Sequence, residues 1–216
     1  MPVKAVIGLA RRAVTFELAL YRSLFRWVTR RPDIPADAVA FTYVGPVAAL
    51  LWVFVVVSAI ELFVLHVLLP WETVRIVADI LGVWGLVWML GLLASFKVYQ
   101  HLVTESGLRI RNGVSTDLTV SWDAVATIGV RERGRDKSRA LQLDRDEAGT
   151  VLNVVIGSRT NVDVKLRRPL VVPLRTGEES IVELRLYADD AHDLISRARE
   201  QLKAEEGTHP MKRGRS

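Results

Sequence analysis

Two stretches of the chain carry no charged side chain: AVAFTYVGPVAALLWVFVVVSAI at residues 38–60 and ILGVWGLVWMLGLLASF at residues 80–96. A helix that crosses a bilayer needs about 20 consecutive, mostly apolar residues. The first stretch has that length, and the second reaches it with its flanks. The sequence therefore predicts a transmembrane helical hairpin over residues 38–97, and with it a multi-pass protein of the cell membrane.

The hairpin divides the chain of 216 residues into four parts. Residues 1–37 are predicted to form a basic amphipathic helix beside the membrane. Residues 98–204 have the size of one ordinary soluble domain. Residues 205–216 lack apolar periodicity and are predicted to be a disordered tail. The only apolar run near the N-terminus is interrupted by Arg11 and Arg12, so we expect no cleavable signal there.

On a helical wheel, one side of residues 3–31 is basic and the opposite side is apolar. Two interpretations fit this pattern. The helix either lies in the headgroup plane of a membrane or packs its apolar side on protein. Glu17 lies in the middle of the apolar side and favours the second interpretation, because a carboxylate finds partners more readily on protein than in lipid. The basic side consists of Lys4, Arg11, Arg12, Arg22, Arg26 and Arg30.

The distribution of cations predicts the orientation of the hairpin. Seven Lys and Arg residues precede it, and Lys97, Arg109 and Arg111 follow it, whereas Arg75 is the only cation in the bridge between its helices. An excess of Lys and Arg marks the cytoplasmic side of a membrane protein. Both termini are therefore predicted to be cytoplasmic.

The bridge brings Glu61, Arg75 and Asp79 close to the predicted membrane boundary. Ionisable residues at membrane depth are candidates for a proton or cation site. The alternative is structural: the helix ends protrude from the bilayer, and Arg75 pairs with Asp79 one turn away. The second helix also carries three glycines, which permit close helix packing within the hairpin, in a homo-oligomer or against a larger membrane protein.

Short β-rich runs separated by turn signals follow the hairpin, which is typical of a sandwich or a small barrel. The Asn112–Gly113 pair predicts a hairpin turn. The segment DDAHDLISRAREQL, which begins at residue 189, then predicts one amphipathic helix, capped by Asp189 or Asp190. Four side chains are expected to be buried in this domain: Trp122, Ile128, Val130 and Leu194.

A β-barrel plugged by a C-terminal helix resembles the bacterial pleckstrin-homology-like (PH-like) domains of membrane proteins. The resemblance lies in VTESGLRIRNG, residues 103–113, and LTVSWDAVATIGV, residues 118–130. It implies an α+β membrane protein with a cytoplasmic PH-like domain and no catalytic residues. The positions that fit the family pattern are Thr104, Gly107, Arg109, Arg111, Gly113, Trp122 and Ile128.

The sequence offers no catalytic chemistry. It contains no cysteine, its four histidines lack the spacing of metal ligands, and no nucleophile or phosphate-loop motif is present. We therefore expect no enzyme activity, no cofactor and no metal. Exposed aromatics beside cations are also missing, so we expect no nucleic-acid partner.

A basic loop, RERGRDKSR at residues 131–139, is a second candidate for contact with anionic lipid; its alternative is a solvated hairpin tip. The loop cations singled out are Arg131, Arg133, Arg135 and Lys137. Two functions follow from the sequence. The first is a non-enzymatic, membrane-anchored module that binds a protein partner or anionic lipid. The second is an accessory subunit of a transporter or channel that uses the polar residues of the hairpin.

Overall fold

A computed structural model describes residues 2–134, 139–174 and 177–208 of the chain. These residues form an α+β protein of four α-helices and nine strands. The chain divides into two compact units. We call Met1–Asp33 with Gly45–Tyr99 the helical unit, and Ile34–Val44 with Gln100–Ser216 the sheet unit.

Three helices build the helical unit: α1 (Pro2–Val28), α2 (Gly45–Leu68) and α3 (Glu72–Val98). Helices α2 and α3 are both long and apolar enough to cross a membrane. They run antiparallel, and the Ser58 hydroxyl of α2 lies 3.9 Å from the Met89 sulfur of α3. Gly82 makes room for Leu62, whose side chain occupies the space that a larger residue would fill.

Helix α2 begins seven residues later than predicted. Residues 39–41 form strand β1 (Val39–Phe41), which pairs with a strand of the sheet unit, and the helix starts at Gly45. Pro46 explains the boundary, because proline lacks a backbone N–H and therefore suits the first turn of a helix. The apolar run before it is extended, so the predicted boundary at residue 38 is wrong.

Helix α1 packs against α3 along the second half of its length. Leu20 and Ser23 are fully buried there, and a Cβ atom added to Gly91 would lie 3.1–3.3 Å from atoms of Leu20. The Trp27 ring also lies 6.5 Å from the Trp52 ring of α2. By contrast, residues 6–15 of α1 are exposed on all sides. The predicted apolar side of α1 therefore contacts helices of its own unit over residues 16–27.

We predict that Gly91→Leu separates α1 from α3, because the new side chain would meet the backbone of Leu20. A single cysteine at Ser23 reports on this contact, since Ser23 is buried and the natural chain has no cysteine. The thiol of Ser23→Cys should react with maleimide at least about tenfold faster when Gly91→Leu is added. Gly85→Leu is the matched control, because nothing lies within 4 Å of a Cβ at Gly85. Equal increases in the maleimide reaction rate with Gly91→Leu and Gly85→Leu would contradict the contact between α1 and α3 at Gly91.

The sheet unit contains two sheets. The first is antiparallel, in the order β1-β2-β3-β4; the second has the order β5-β8-β9-β7-β6, with β7 and β9 parallel. A short 3-10 turn, Trp122–Ala124, links β4 to β5, and helix α4 (Ala191–Thr208) follows the last strand. The strands after β1 are β2 (His101–Val103), β3 (Gly107–Asn112), β4 (Thr116–Ser121), β5 (Val125–Gly134), β6 (Leu141–Asp146), β7 (Gly149–Val154), β8 (Arg159–Leu174) and β9 (Gly177–Leu186).

Both sheets and α4 contribute side chains to one apolar core. Burial of Trp122, Ile128 and Leu194 is confirmed, with Trp122 2% exposed and Leu194 fully buried. The prediction for Val130 is wrong, because 43% of that residue is exposed. Val130 and Ile195 line an open cleft beside α4. Helix α4 therefore no longer covers the core at the position of Val130.

Two predictions from local sequence are confirmed in the sheet unit: the hairpin turn at Asn112–Gly113 and the cap of helix α4. Residues 112 and 116 pair at the end of the β3–β4 hairpin, where Gly113 takes a φ of 52°. The Asp190 carboxylate accepts a hydrogen bond of 2.9 Å from the backbone N–H of Asp193 and so caps α4. Helix α4 continues to Thr208, beyond the predicted boundary at residue 204, and the rest of the predicted disordered tail lies outside the described residues.

Candidate functional site

The C-terminal ends of α1 and α3 frame a cleft of about 530 Å³ in the helical unit. Trp27, Val28 and Val98 form an apolar part of its wall. The rest of the lining is dominated by cations. The cationic side chains of the cleft are Arg26, Arg30, Arg31 and Lys97.

The end of α1 explains how these cations come together. The backbone N–H of Arg31 donates to the carbonyl of Arg26 at 2.8 Å, and that of Arg30 donates to the carbonyl of Trp27 at 3.1 Å. This pair of bonds is a Schellman motif, which turns the chain sharply at a residue in the left-handed conformation. Arg30 has that conformation, with a φ of 53°, where glycine is the usual residue. An arginine there costs about 1 kcal/mol or more relative to glycine.

The cleft has a positive charge that its own residues do not neutralise. Arg26 forms an ion pair of 2.8 Å with Asp33, and the Asp33 backbone N–H donates to the Val98 carbonyl at 3.4 Å. These contacts hold the turn after α1 against the end of α3. Arg30 and Arg31 are exposed, and neither has an ion-pair partner among the described residues of the helical unit. The cleft can therefore receive an anion.

The structure separates the predicted basic residues into groups. Arg26 lines the cleft, whereas Arg11, Arg12 and Arg22 are exposed on α1 outside it. Arg30, Arg31 and Lys97 were not predicted as lipid-contact residues, although Arg30 belongs to the predicted basic side of α1. The available signal was the arginine doublet before Pro32, but its place beside Lys97 depends on the packing of α1 on α3. The side chain of Lys4 is outside the described part of the structure.

The predicted basic loop is described only in part. Arg131 is exposed, and Arg133 forms an ion pair with Asp163 within the sheet unit. Asp163 also lies 3.8 Å from the Arg185 guanidinium, so it belongs to a local charge network. Arg135 and Lys137 lie outside the described residues. Among the loop cations that the structure describes, Arg131 and Arg139 are exposed, whereas Arg133 is held by Asp163.

The polar residues of the hairpin are arranged differently from the prediction. Asp79 pairs with His66 at 2.7 Å rather than with Arg75, because the antiparallel packing of α2 and α3 brings residue 66 opposite residue 79. Neither Glu61 nor Arg75 forms an ion pair with any described residue of the helical unit. The predicted Arg75–Asp79 pair is therefore wrong, and the three candidate residues do not converge on one site.

Glu17 finds partners within the helical unit. Its carboxylate accepts hydrogen bonds from the Tyr21 hydroxyl and, at 2.7 Å, from the Trp84 indole of α3. The same indole lies 2.8 Å from the Tyr21 oxygen. Two donors satisfy a carboxylate that would otherwise face an apolar helix surface. The position of Glu17 in the apolar side of α1 is thus explained by helix packing.

A buried polar cluster occupies the part of the sheet unit where the chain leaves for α2 and returns from α3. His101 is fully buried and stacks on the Tyr43 ring at 4.5 Å. The backbone N–H of Arg111 donates to His101 Nδ1 at 3.1 Å, so Nε2 carries the proton and donates to the Tyr187 carbonyl at 3.0 Å. Burial, with a smaller effect of the nearby Arg111 charge, lowers the pKa of His101 to about 4.

Comparison of the chain with models of protein families, with curated proteins and with solved structures finds no match. The function is therefore inferred from the chemistry of the sites above. Of these, the cleft at the end of α1 is the one whose exposed charges and shape are open to a ligand.

Proposed function

We propose that this protein is a non-enzymatic, membrane-anchored module whose basic cleft binds the headgroup phosphate of an anionic lipid at the cytoplasmic leaflet. The observation that carries the proposal is the convergence of Arg26, Arg30, Arg31 and Lys97 on one cleft. Basic pockets between membrane helices on the cytoplasmic side suit anionic headgroups.

Membrane insertion of α2 and α3 is the first premise of this function. Helix α2 has no buried residue, although its surface is almost entirely apolar. An apolar surface of that extent is rarely exposed to water, and lipid is the environment that suits two helices of spanning length. The excess of cations before and after the hairpin supports a cytoplasmic location for both termini.

The cleft then lies at the depth where phosphate groups occur. It is formed at the last turns of α1 and α3, where the apolar run of α3 gives way to Lys97. Trp27 supplies an amphipathic ring, which prefers the membrane interface. Each cation near an anionic surface contributes about 1 kcal/mol of attraction. Arg30 and Arg31, which have no carboxylate partner among the described residues of the helical unit, should contribute most.

We further propose that the sheet unit is a PH-like module that offers its surface to a protein partner or to a second copy of the chain. The support is that two sheets enclose one core together with a C-terminal helix. Strands β1 and β2, which flank the hairpin in sequence, are paired neighbours in this unit. The module is thereby attached to the hairpin through two adjacent strands.

The lipid proposal predicts a selective loss of affinity in the double variant Arg30→Gly with Arg31→Gln. Glycine suits the left-handed turn at residue 30, so the fold is expected to persist. Loss of two cations should weaken binding of phosphatidylglycerol by about 2 kcal/mol, or roughly 30-fold. Native mass spectrometry of the full chain, titrated with phosphatidylglycerol or with phosphatidylcholine of the same acyl chains, measures this difference.

The double variant Arg11→Gln with Arg12→Gln is the matched control, because it removes two cations from the same helix outside the cleft. It should retain most of the preference for phosphatidylglycerol. Equal losses in the two double variants would show that general charge, rather than the cleft, attracts the lipid. A wild-type protein without any preference for the anionic lipid would refute the function.

A further inference from the structure

Strand β5 forms one edge of the second sheet: β8 pairs with one side of it, and no described strand pairs with the other. Among the described strands, four lie at sheet edges. With ten residues β5 is the longest of them, since β1 has three residues and β4 and β6 have six each. A strand edge presents backbone donors and acceptors that can pair with another extended segment. The open edge of β5 can therefore accept a further strand.

The backbone of β5 faces this open edge at Ile128 and Val130. The Ile128 carbonyl accepts a hydrogen bond of 3.1 Å from Arg199 of α4, so it is directed toward α4 rather than toward β8. Ile128 and Val130 lie opposite residues 164 and 162 of β8 without a shift of register between them. Backbone groups two residues apart in a strand point to the same side. The N–H and carbonyl of Val130 are therefore also directed to the open edge.

One face of the edge is a cleft of about 520 Å³ between β5 and α4. Val130, which is 43% exposed, and Ile195 of α4 form the apolar part of this cleft. Arg199 and Lys203 of α4 also line it. An apolar side chain of an added strand that projects to this face would enter the cleft and cover Val130.

The other face of the same edge has a smaller cleft of about 290 Å³, which Thr127, Gly129, Arg131 and Lys165 help to line. Gly129 leaves space there because it has no side chain. Successive side chains of a strand point to opposite faces. A strand added to β5 would therefore place every second side chain in the cleft beside α4 and the others over Arg131 and Lys165.

Positive charge predominates in both clefts. The two carboxylates that line them are already paired, Asp163 with Arg133 and Glu200 with Arg197 at 3.4 Å. Four cations of the clefts have no ion-pair partner among the described residues of the sheet unit: Arg131, Lys165, Arg199 and Lys203. Charge complementarity therefore favours an added strand that carries carboxylates.

We propose that the open edge of β5 binds an extended acidic segment of a partner protein, which joins the second sheet as an antiparallel strand. Apolar side chains of the segment enter the cleft beside Val130 and Ile195. Acidic side chains alternate with them and lie over Arg131 and Lys165. The inference rests on the proposed role of the sheet unit as an interaction module, and it specifies the chemistry of the partner.

The test uses the full chain in mild detergent and fluorescently labelled heptapeptides, with anisotropy as the readout. One peptide alternates glutamate with valine, and its control alternates lysine with valine. We expect the acidic peptide to bind at least about tenfold more tightly than the basic one. Absence of binding by the acidic peptide, or tighter binding by the basic peptide, would overturn the proposal.

Methylation of the peptide nitrogens tests strand addition without any change to the protein. In an antiparallel pair, residues opposite Val130 exchange backbone hydrogen bonds with it, and these are the valines of the peptide. N-methylation of the valines should therefore abolish binding, whereas N-methylation of the glutamates should be tolerated. Equal losses with the two methylated peptides would contradict pairing with the edge of β5.

Two variants locate the peptide on the edge. Val130→Pro removes the outward N–H, a change that an edge strand tolerates, and Arg131→Glu places a carboxylate against the acidic side chains. Each should weaken binding of the acidic peptide about tenfold or more. Arg168→Glu is the matched control, because Arg168 is an exposed arginine of β8 that contacts Asp123 and lines neither cleft. Equal losses in Arg131→Glu and Arg168→Glu would refute the assigned edge.

Titration with phosphatidylglycerol separates this inference from the lipid function. Arg131→Glu should lose affinity for the peptide and keep the lipid preference, and the double variant Arg30→Gly with Arg31→Gln should do the reverse. Loss of peptide binding in that double variant alone would place the peptide in the lipid cleft and overturn only the present inference. Self-association of the chain that Val130→Pro abolishes, without peptide binding, would assign the edge to a second copy and exclude the acidic partner.

Discussion

The sheet unit should lose about 3 kcal/mol of stability through His101 alone when the pH falls from 6.5 to 4. His101 is buried and neutral in the folded protein, with a pKa lowered to about 4, whereas in the unfolded chain its pKa is about 6.5. Between these two values the unfolded state binds the proton and the folded state does not. As the pH decreases through this window, the free energy of unfolding therefore decreases, by about 1.4 kcal/mol per pH unit.

The hydrogen bonds of His101 explain why the folded state resists the proton. Protonation would place a hydrogen on Nδ1, which already accepts the backbone N–H of Arg111. That bond would be lost, and a second positive charge would be confined in a buried site close to the Arg111 side chain. Both consequences oppose burial of the charged form.

Urea unfolding of the full chain at a series of pH values measures this effect. Trp122 is the only tryptophan of the sheet unit, so a fluorine label on tryptophan gives that unit its own signal. His101→Gln removes the titrating group and keeps a donor toward the Tyr187 carbonyl, so its stability should change much less between pH 6.5 and 4. His192→Gln, at an exposed histidine, should follow the wild type. Identical pH dependence in all three proteins would contradict the assigned protonation state.

Much of the fold follows from sequence periodicity. The two apolar helices, the turn at Asn112–Gly113, the capped helix α4 and the burial of Trp122 each depend on a local pattern. Strand β1 could not be separated from α2 in this way, because a short apolar run suits a buried strand and a buried helix equally. The Gly45–Pro46 pair was the signal that marks the boundary.

Strand β8 illustrates a second limit of local patterns. The Arg167–Pro169 segment predicts a turn, yet β8 continues through it from Arg159 to Leu174. The pairing of β8 with β9 shifts register between Lys165 and Leu170, and this irregularity accommodates the missing N–H of the proline. A turn residue inside a long strand can be recognised only when the partner strands are known.

The candidate sites are less accessible to sequence analysis than the fold. Arg26 is predictable as part of a basic helix side, but its cleft also requires the left-handed turn at Arg30 and the packing of α1 on α3. His101 does not belong to a recognisable motif. Its chemistry arises from burial, which tertiary structure determines.

Leu194→Ala should destabilise the sheet unit by about 2–5 kcal/mol, the range for a buried leucine truncated in a core that cannot collapse. Leu194 is fully buried on α4 among side chains from both sheets. The Asp190 cap holds the first turn of α4, and the Arg199 guanidinium donates to the Ile128 carbonyl at 3.1 Å further along. These contacts on either side of Leu194 prevent α4 from moving into the cavity that the Leu194→Ala substitution would leave.

The same fluorine signal of Trp122 in the full chain measures this loss, as a lower urea midpoint with an unchanged slope. Val171→Ala is the control, because Val171 is 57% exposed in β8 and its truncation should cost less than about 0.5 kcal/mol. A midpoint for Leu194→Ala equal to that of Val171→Ala would mean that α4 does not close the core. If α4 does close the core, the destabilisation should also extend to β1 and β2, the strands that flank the hairpin. Phe41 of β1 and Val103 of β2 belong to the same core as Leu194, so their amides should exchange faster in Leu194→Ala.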